Sequence, residues 1–180
     1  MAAHGGPEPR CAVLLRGVNV GSSNRITMPN LRAVLEQLGA HEVKTYLQSG
    51  NAVVRAEPDG LADTVREALR LQLGLDVAVI VRTATELAQV VDANPFPARV
   101  SEPKLLHVAF LEAAVSASAL DAVGTRHGAD EIALGDRALY LSFAERSHDS
   151  PLNGVLRRLG VVTTARNWTT VTGLLALSRE

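Results

Sequence analysis

A single cysteine, Cys11, in 180 residues rules out any disulfide within the chain. A chain without such crosslinks fits a reducing compartment, the cytoplasm. Cys11 opens an apolar run, where a thiol is read as a buried, inert side chain in preference to a nucleophile. Long hydrophobic runs are also missing: the longest, such as Cys11–Leu15, are far short of the roughly 18 residues of a membrane span, so no membrane partner is expected. The opening MAAHGGPEPR has no apolar core and reads as a flexible leader over residues 1–10, not a signal peptide. Aromatics make up only 3% of the chain, which disfavours base-stacking recognition of RNA. That recognition needs rings on the sheet face, and CAVLLR and NAVVRA carry none.

Catalytic and metal patterns are equally sparse. His127 has no second histidine at helical spacing, so Asp130 and Glu131 beside it make a poor metal set. His148, Asp149 and Ser150 are adjacent in sequence and cannot line up as a triad; Asp149 or Ser150 reads better as a helix cap before Pro151. His107 reads as a strand residue. Neither GxxxxGK[ST] nor a clean GxGxxG occurs, and no cofactor is expected.

Acids are absent from two particular places. Pro9–Leu35 holds Arg10, Arg16, Arg25 and Arg32 with no Asp or Glu, and Ser150–Arg179 holds Arg157, Arg158, Arg166 and Arg179, again with none. Glu36–Asp149, between them, has 17 acids against 10 bases, so the net charge of only −1 hides a strong asymmetry. Such a distribution points to an anionic partner.

What is present is a regular alternation of elements. CAVLLR reads as a buried strand. MPNLRAVLEQLG reads as a helix, with Pro29 near its first turn, Leu31, Val34, Leu35 and Leu38 on one face, and Gly39 as stop. HEVKTYLQ and NAVVRA read as strands joined at Ser49-Gly50. A helix from Leu61 ends at Gly74, and DVAVIVR is a further strand. Thr83-x-x-Glu86 is a capping box that opens a helix through Val91. The order is βαββαβ, the unit of ferredoxin-like domains.

After a linker at residues 94–103, KLLHVAFL (strand), Ser116–Val123 (helix), a hairpin turned at Gly135-Asp136 and SPLNGVLRRLG (helix) approximate the pattern again. Val161–Val162 is expected as a short last strand and Trp168, Val171 and Leu175 as a final helix. The predicted fold is therefore α+β: two ferredoxin-like subdomains, residues 11–93 and 104–180, with mostly antiparallel sheets and helices packed on one face.

This topology makes the first two strands end at one sheet edge. The loop Gly17–Met28 and the hairpin Gln48–Asn51 should then sit together, with Asn51 beside Arg16. LLRGVNVGSSNRITMPNLRAVLEQLG, YLQSGNAVV and TTARNWTTV, in this order from about Cys11 to Leu177, resemble the bacterial family known as domain of unknown function 1697. The resemblance implies two related α+β subdomains and no particular activity. Its motif positions here are Arg16, Gly17, Asn19, Gly21, Gln48, Ser49, Gly50, Asn51, Arg166, Asn167 and Trp168. Ser22-Ser23 stand where many relatives have a basic residue or glycine.

The candidate site joins these positions, Gly50 apart, to Arg25. Glycines such as Gly17 and Gly21 let backbone N–H groups approach a ligand, and Arg16 and Arg25 are forked donors suited to phosphate or carboxylate. Arg16, Asn19, Asn51 and Arg166 are the expected polar contacts. The plainer alternatives stay open: a long structural connection, an ordinary hairpin, and Trp168 as a core residue. The leading expectation is an anionic small molecule or nucleotide. The alternatives are a nucleic-acid backbone, less favoured, and a protein partner. No nucleophile, acid or base is assigned, and oligomeric state is not legible.

Overall fold

The computed structural model describes residues 8–180, so part of the expected leader lies outside the described residues. The described residues divide into two compact units, 8–86 with 176–180, and 87–175. The division falls within a helix, ahead of residues 94–103, where a 3₁₀ turn occupies Pro97–Ser101.

The first unit runs β1 (Arg10–Leu15), α1 (Met28–Gln37), β2 (His41–Thr45), β3 (Asn51–Arg55), α2 (Leu61–Leu73) and β4 (Val79–Thr83). Its sheet is ordered β2-β3-β1-β4 with every pair antiparallel, which is the ferredoxin-like arrangement. β1 is central and buried from Cys11 through Leu15, which is why its sequence is an unbroken apolar run and not an alternating one. Cys11, Val13 and Leu15 pack with Leu31, Val34 and Leu35 of α1 and Val65 and Leu69 of α2, so both helices cover one face. α1 begins at Thr27, whose Oγ1 accepts the Asn30 N–H (3.2 Å), and α2 ends at Gly74 in the left-handed conformation (φ +65°). The capping box forms as read: the Glu86 carboxylate accepts the Thr83 N–H (2.7 Å) and Thr83 Oγ1 accepts the Glu86 N–H (3.2 Å), opening α3 (Ala84–Asp92).

The second unit follows the same path. β5 (Leu106–Leu111), α4 (Ala117–Val123), β6 (Arg126–His127), β7 (Asp130–Gly135), β8 (Ala138–Ser142), α5 (Leu152–Arg158) and β9 (Thr163–Asn167) lead to α6 (Trp168–Leu177). The sheet order is β6-β7-β8-β5-β9, antiparallel throughout, with the two-residue β6 added at one edge. Ala109, Leu111, Leu139 and Leu141 pack with Leu120 of α4 and Leu152 and Val155 of α5.

Besides the added β6, which the sequence reading lacked, one element differs from that reading. The last strand is Thr163–Asn167 and not Val161–Val162, because Asn167 itself starts the helix: its Oδ1 accepts the Thr170 N–H (2.9 Å). The extended residues before that cap, Thr163–Asn167, pair with β5 from Leu111 to His107.

Candidate functional site

In the first unit, β1 delivers Arg16 to the sheet edge where the segment before β4 also arrives: the Arg16 N–H donates to the Ala78 carbonyl (2.9 Å). On its other side Leu14 pairs with Asn51, and the Leu15 N–H reaches the Gly50 carbonyl (2.8 Å). The expected convergence of loop Gly17–Met28 with hairpin Gln48–Asn51 is present, with Asn51 opposite Leu14 and not Arg16 because the antiparallel register sets that pair, and two residues enforce it.

Gly50 has φ +74°, and a Cβ there would lie 2.4 Å from Val18 Cγ2 and 2.8 Å from Leu15 Cβ, so only glycine fits. Asn19, also left-handed (φ +56°), aims its carboxamide inward. Its Nδ2 donates to the Gln48 carbonyl (2.6 Å) and to the Ile26 carbonyl (2.8 Å), while its Oδ1 accepts the Ile26 N–H (3.0 Å). One amide thereby closes its own loop and pins it to the hairpin.

Asn51 is fully buried and holds the hairpin from within, its Nδ2 donating to the Tyr46 carbonyl (3.0 Å) and Ser49 Oγ (2.9 Å). Asn24 Nδ2 reaches the Gly17 carbonyl at 3.4 Å, and Gly17 and Gly21 have φ of +63° and +66°. Asn19 and Asn51, expected to meet a ligand, thus shape the loops, while Arg16 and Arg25 are exposed.

A hollow of about 450 Å³ opens between loop, hairpin and the start of α1. Arg25, Asn30 and Gln48 supply its polar ends, Ile26 and Met28 an apolar part of its wall, and no carboxylate lines it. The Arg25 guanidinium makes one long bond, to the Gly21 carbonyl (3.3 Å). Among the described residues nothing engages the side-chain ends of Arg16, Asn30, Arg32 or Gln48, all exposed. Elsewhere in this unit arginines do meet carboxylates: Arg10 and Arg55 at Glu42, Arg66 at Asp76, Arg70 at Glu67. The backbone at the start of α1 adds little, because Pro29 lacks an N–H and Thr27 takes that of Asn30. Positive charge at this edge is therefore guanidinium charge. Asn30 was not singled out from the sequence; its place one residue after Pro29, at the mouth of a capped helix, is the signal that was available.

Arg166, Asn167 and Trp168 belong to the end of β9 and the start of α6 in the second unit. Arg166 is 8% exposed; its Nη1 donates to Thr164 Oγ1 (2.8 Å) and to the Ala165 carbonyl (2.9 Å), and burial lowers its pKa to about 10. No nearby acid is needed for these bonds: its own strand supplies neutral oxygens. Asn167 is the helix cap, and Trp168 is buried.

The other candidates have local structural explanations. The His127 ring bonds the Gly124 carbonyl (3.0 Å), and among the described residues no group of three side chains is placed to hold a metal. Ser150 Oγ donates to the buried Asp130 and accepts the Leu152 N–H (3.1 Å) at the start of α5. Burial raises the Cys11 pKa to about 11, with Glu86, Glu57 and Glu8 adding to it, so its thiolate is suppressed.

Architecture and site together define an α+β protein of two ferredoxin-like units, the first carrying an elaborated, carboxylate-free loop edge. The chain belongs to the family described as Protein of unknown function (DUF1697), whose profile matches residues 9–140. The match includes loop and hairpin and ends before Arg166. Among solved structures the chain is similar to the conserved bacterial protein SP0830 from Streptococcus pneumoniae. The TM-score is 0.75 at 19% identity, over 94% of this chain and 98% of that one, a likeness of fold. No curated protein matches. Among the described residues no helix is long and apolar enough to cross a membrane.

Proposed function

We propose that the first unit binds a small anionic ligand, of the phosphate or carboxylate type, in the hollow between loop 16–27 and hairpin 46–50. The observation that carries this reading is the lining: a guanidinium and two free carboxamides converge with no carboxylate among them. Arg25 is the primary contact, Gln48 and Asn30 orient the ligand, and Arg16 adds long-range attraction from the same edge. Asn19, Asn51 and Gly50 hold the loops in place before the ligand arrives, which limits the ordering cost of binding. The cytoplasm is the setting we assign, on the single buried thiol.

Isothermal titration with inorganic phosphate, sugar phosphates and nucleoside monophosphates tests the reading. Binding that Arg25→Ala weakens about tenfold, the scale of one charge-assisted hydrogen bond, supports it. Absence of binding by every anion in the set overturns it. Affinity for nucleic-acid oligomers alone, falling steeply with salt, would transfer the edge to backbone recognition.

A further inference from the structure

Two exposed apolar residues are chain neighbours of residues that line this hollow. Val20 is 71% exposed and Leu47 is 53% exposed. Each is the chain neighbour of a residue lining the hollow, Asn19 in one case and Gln48 in the other, and the Asn19–Gln48 hydrogen bond ties those neighbours together. Singly exposed apolar residues are ordinary, and Leu71 on α2 is another at 68%. What separates Val20 and Leu47 from Leu71 is the backbone that presents them. Leu47 is itself left-handed (φ +57°), a conformation that leucine rarely adopts, and Val20 lies between the left-handed Asn19 (φ +56°) and Gly21 (φ +66°). At Leu47 the chain adopts an unfavourable backbone and still leaves apolar surface in water, and at Val20 two residues that accept the left-handed conformation turn the loop around an exposed valine.

Resting on the anion-binding reading above, we infer that the ligand is amphiphilic. Its anionic head enters the hollow at Arg25, and its apolar body lies across Val20 and Leu47. Arg16 and Arg32, free of carboxylates, favour the same sign of head on approach. A free acidic amphiphile and an anionic lipid headgroup share this chemistry.

The test is a titration series at fixed salt with inorganic phosphate, hexyl phosphate and decyl phosphate, each kept below its aggregation threshold. For the natural sequence, affinity should rise by about tenfold or more along the series, since each buried methylene strengthens binding. In a Val20→Ser/Leu47→Asn double variant that rise should collapse while inorganic phosphate binds as before; asparagine accepts the left-handed backbone, so folding is preserved. Phosphate binding with no dependence on chain length, or a dependence that survives in the variant, overturns the amphiphile inference and leaves the anion site standing. Failure of every phosphate to bind overturns both. Sedimentation with phosphatidylglycerol vesicles separates the two sources. Co-sedimentation that the double variant loses assigns the head to a bilayer, and binding of soluble alkyl phosphates alone assigns it to a free amphiphile.

Discussion

The first unit passes from its first strand to its first helix through residues 16–27, and the second makes the same connection with residues 112–116. The matching hairpins differ likewise: residues 46–50 separate β2 from β3, whereas only Asp136 and Arg137 separate β7 from β8. Both sheets take the same path and both helix pairs bury a leucine- and valine-rich face, so the longer loops are not required to build the fold. They exceed what the path requires, although Val18 and Ile26 of the first loop are buried in the core of their unit. The hollows differ in sign as well. One hollow of the second unit, about 520 Å³, is lined by Asp130, Glu145 and Asp149 together with Arg146 and His127, as a further hollow of the first unit on α2 is by Asp63 and Glu67, whereas the loop-edge hollow of the first has Arg25 and no acid. Extra length and excess positive charge coincide in one place, the loop edge to which the anion-binding proposal refers.

The contrast can be broken most severely at Gly50. Gly50→Ala is expected to cost about 2–4 kcal/mol, because a left-handed backbone and a collision with Val18 and Leu15 act together. Denaturant titration checks this, and a loss below about 0.5 kcal/mol would show that the two loops are not locked together. Asn19→Ala should follow at about 1–3 kcal/mol, since the Gln48 and Ile26 carbonyls and the Ile26 N–H all lose their partner. Anion affinity should fall with it, through loosened loops.

Replacing residues 17–26 by a short connection of the second unit's kind sharpens the comparison from the other side. Anion binding should disappear, and stability should fall as well, not through loop entropy, which changes slowly with length, but because the swap removes the buried Val18 and Ile26 and the Asn19 bonds. Arg16→Ala and Arg25→Ala should leave stability within about 0.5 kcal/mol and act on ligand affinity only.

The smallest effect is expected in the second unit. Burial lowers the His107 pKa from its ordinary 6.5, partly offset by a hydrogen bond to the Lys104 carbonyl, and its ring meets Phe143 edge-on at 5.0 Å. A histidine whose folded pKa is depressed binds its proton more readily when unfolded. Its stabilising contribution is therefore complete above about pH 6.5 and is lost as pH falls below that value. His107→Gln should flatten the stability curve between pH 7 and pH 5, as followed by denaturant midpoints; an unchanged slope would clear His107 of that role.

Much of this architecture was readable from the chain. Leu31, Val34, Leu35 and Leu38 marked α1, Thr83 and Glu86 announced a helix start, and the order of elements alone required loop and hairpin to share an edge. The last strand escaped because Thr163–Asn167 is polar in pattern, and only the cap at Asn167 shows where extension gives way to helix.

The direction of the polar side chains was less accessible. Asn19, Asn51 and Arg25 are alike in sequence as candidate ligand contacts. In the folded chain a left-handed φ turns Asn19 inward and strand pairing buries Asn51, whereas Arg25 stays on the wall of the hollow. By itself the sequence determined the elements, their order and the acid-free edge, because hydrophobic period, caps and charge are local properties of the chain. Which amides brace that edge and which groups remain open to a ligand was decided by tertiary structure. A hydrogen bond between residues 19 and 48 exists only once the sheet has brought them together.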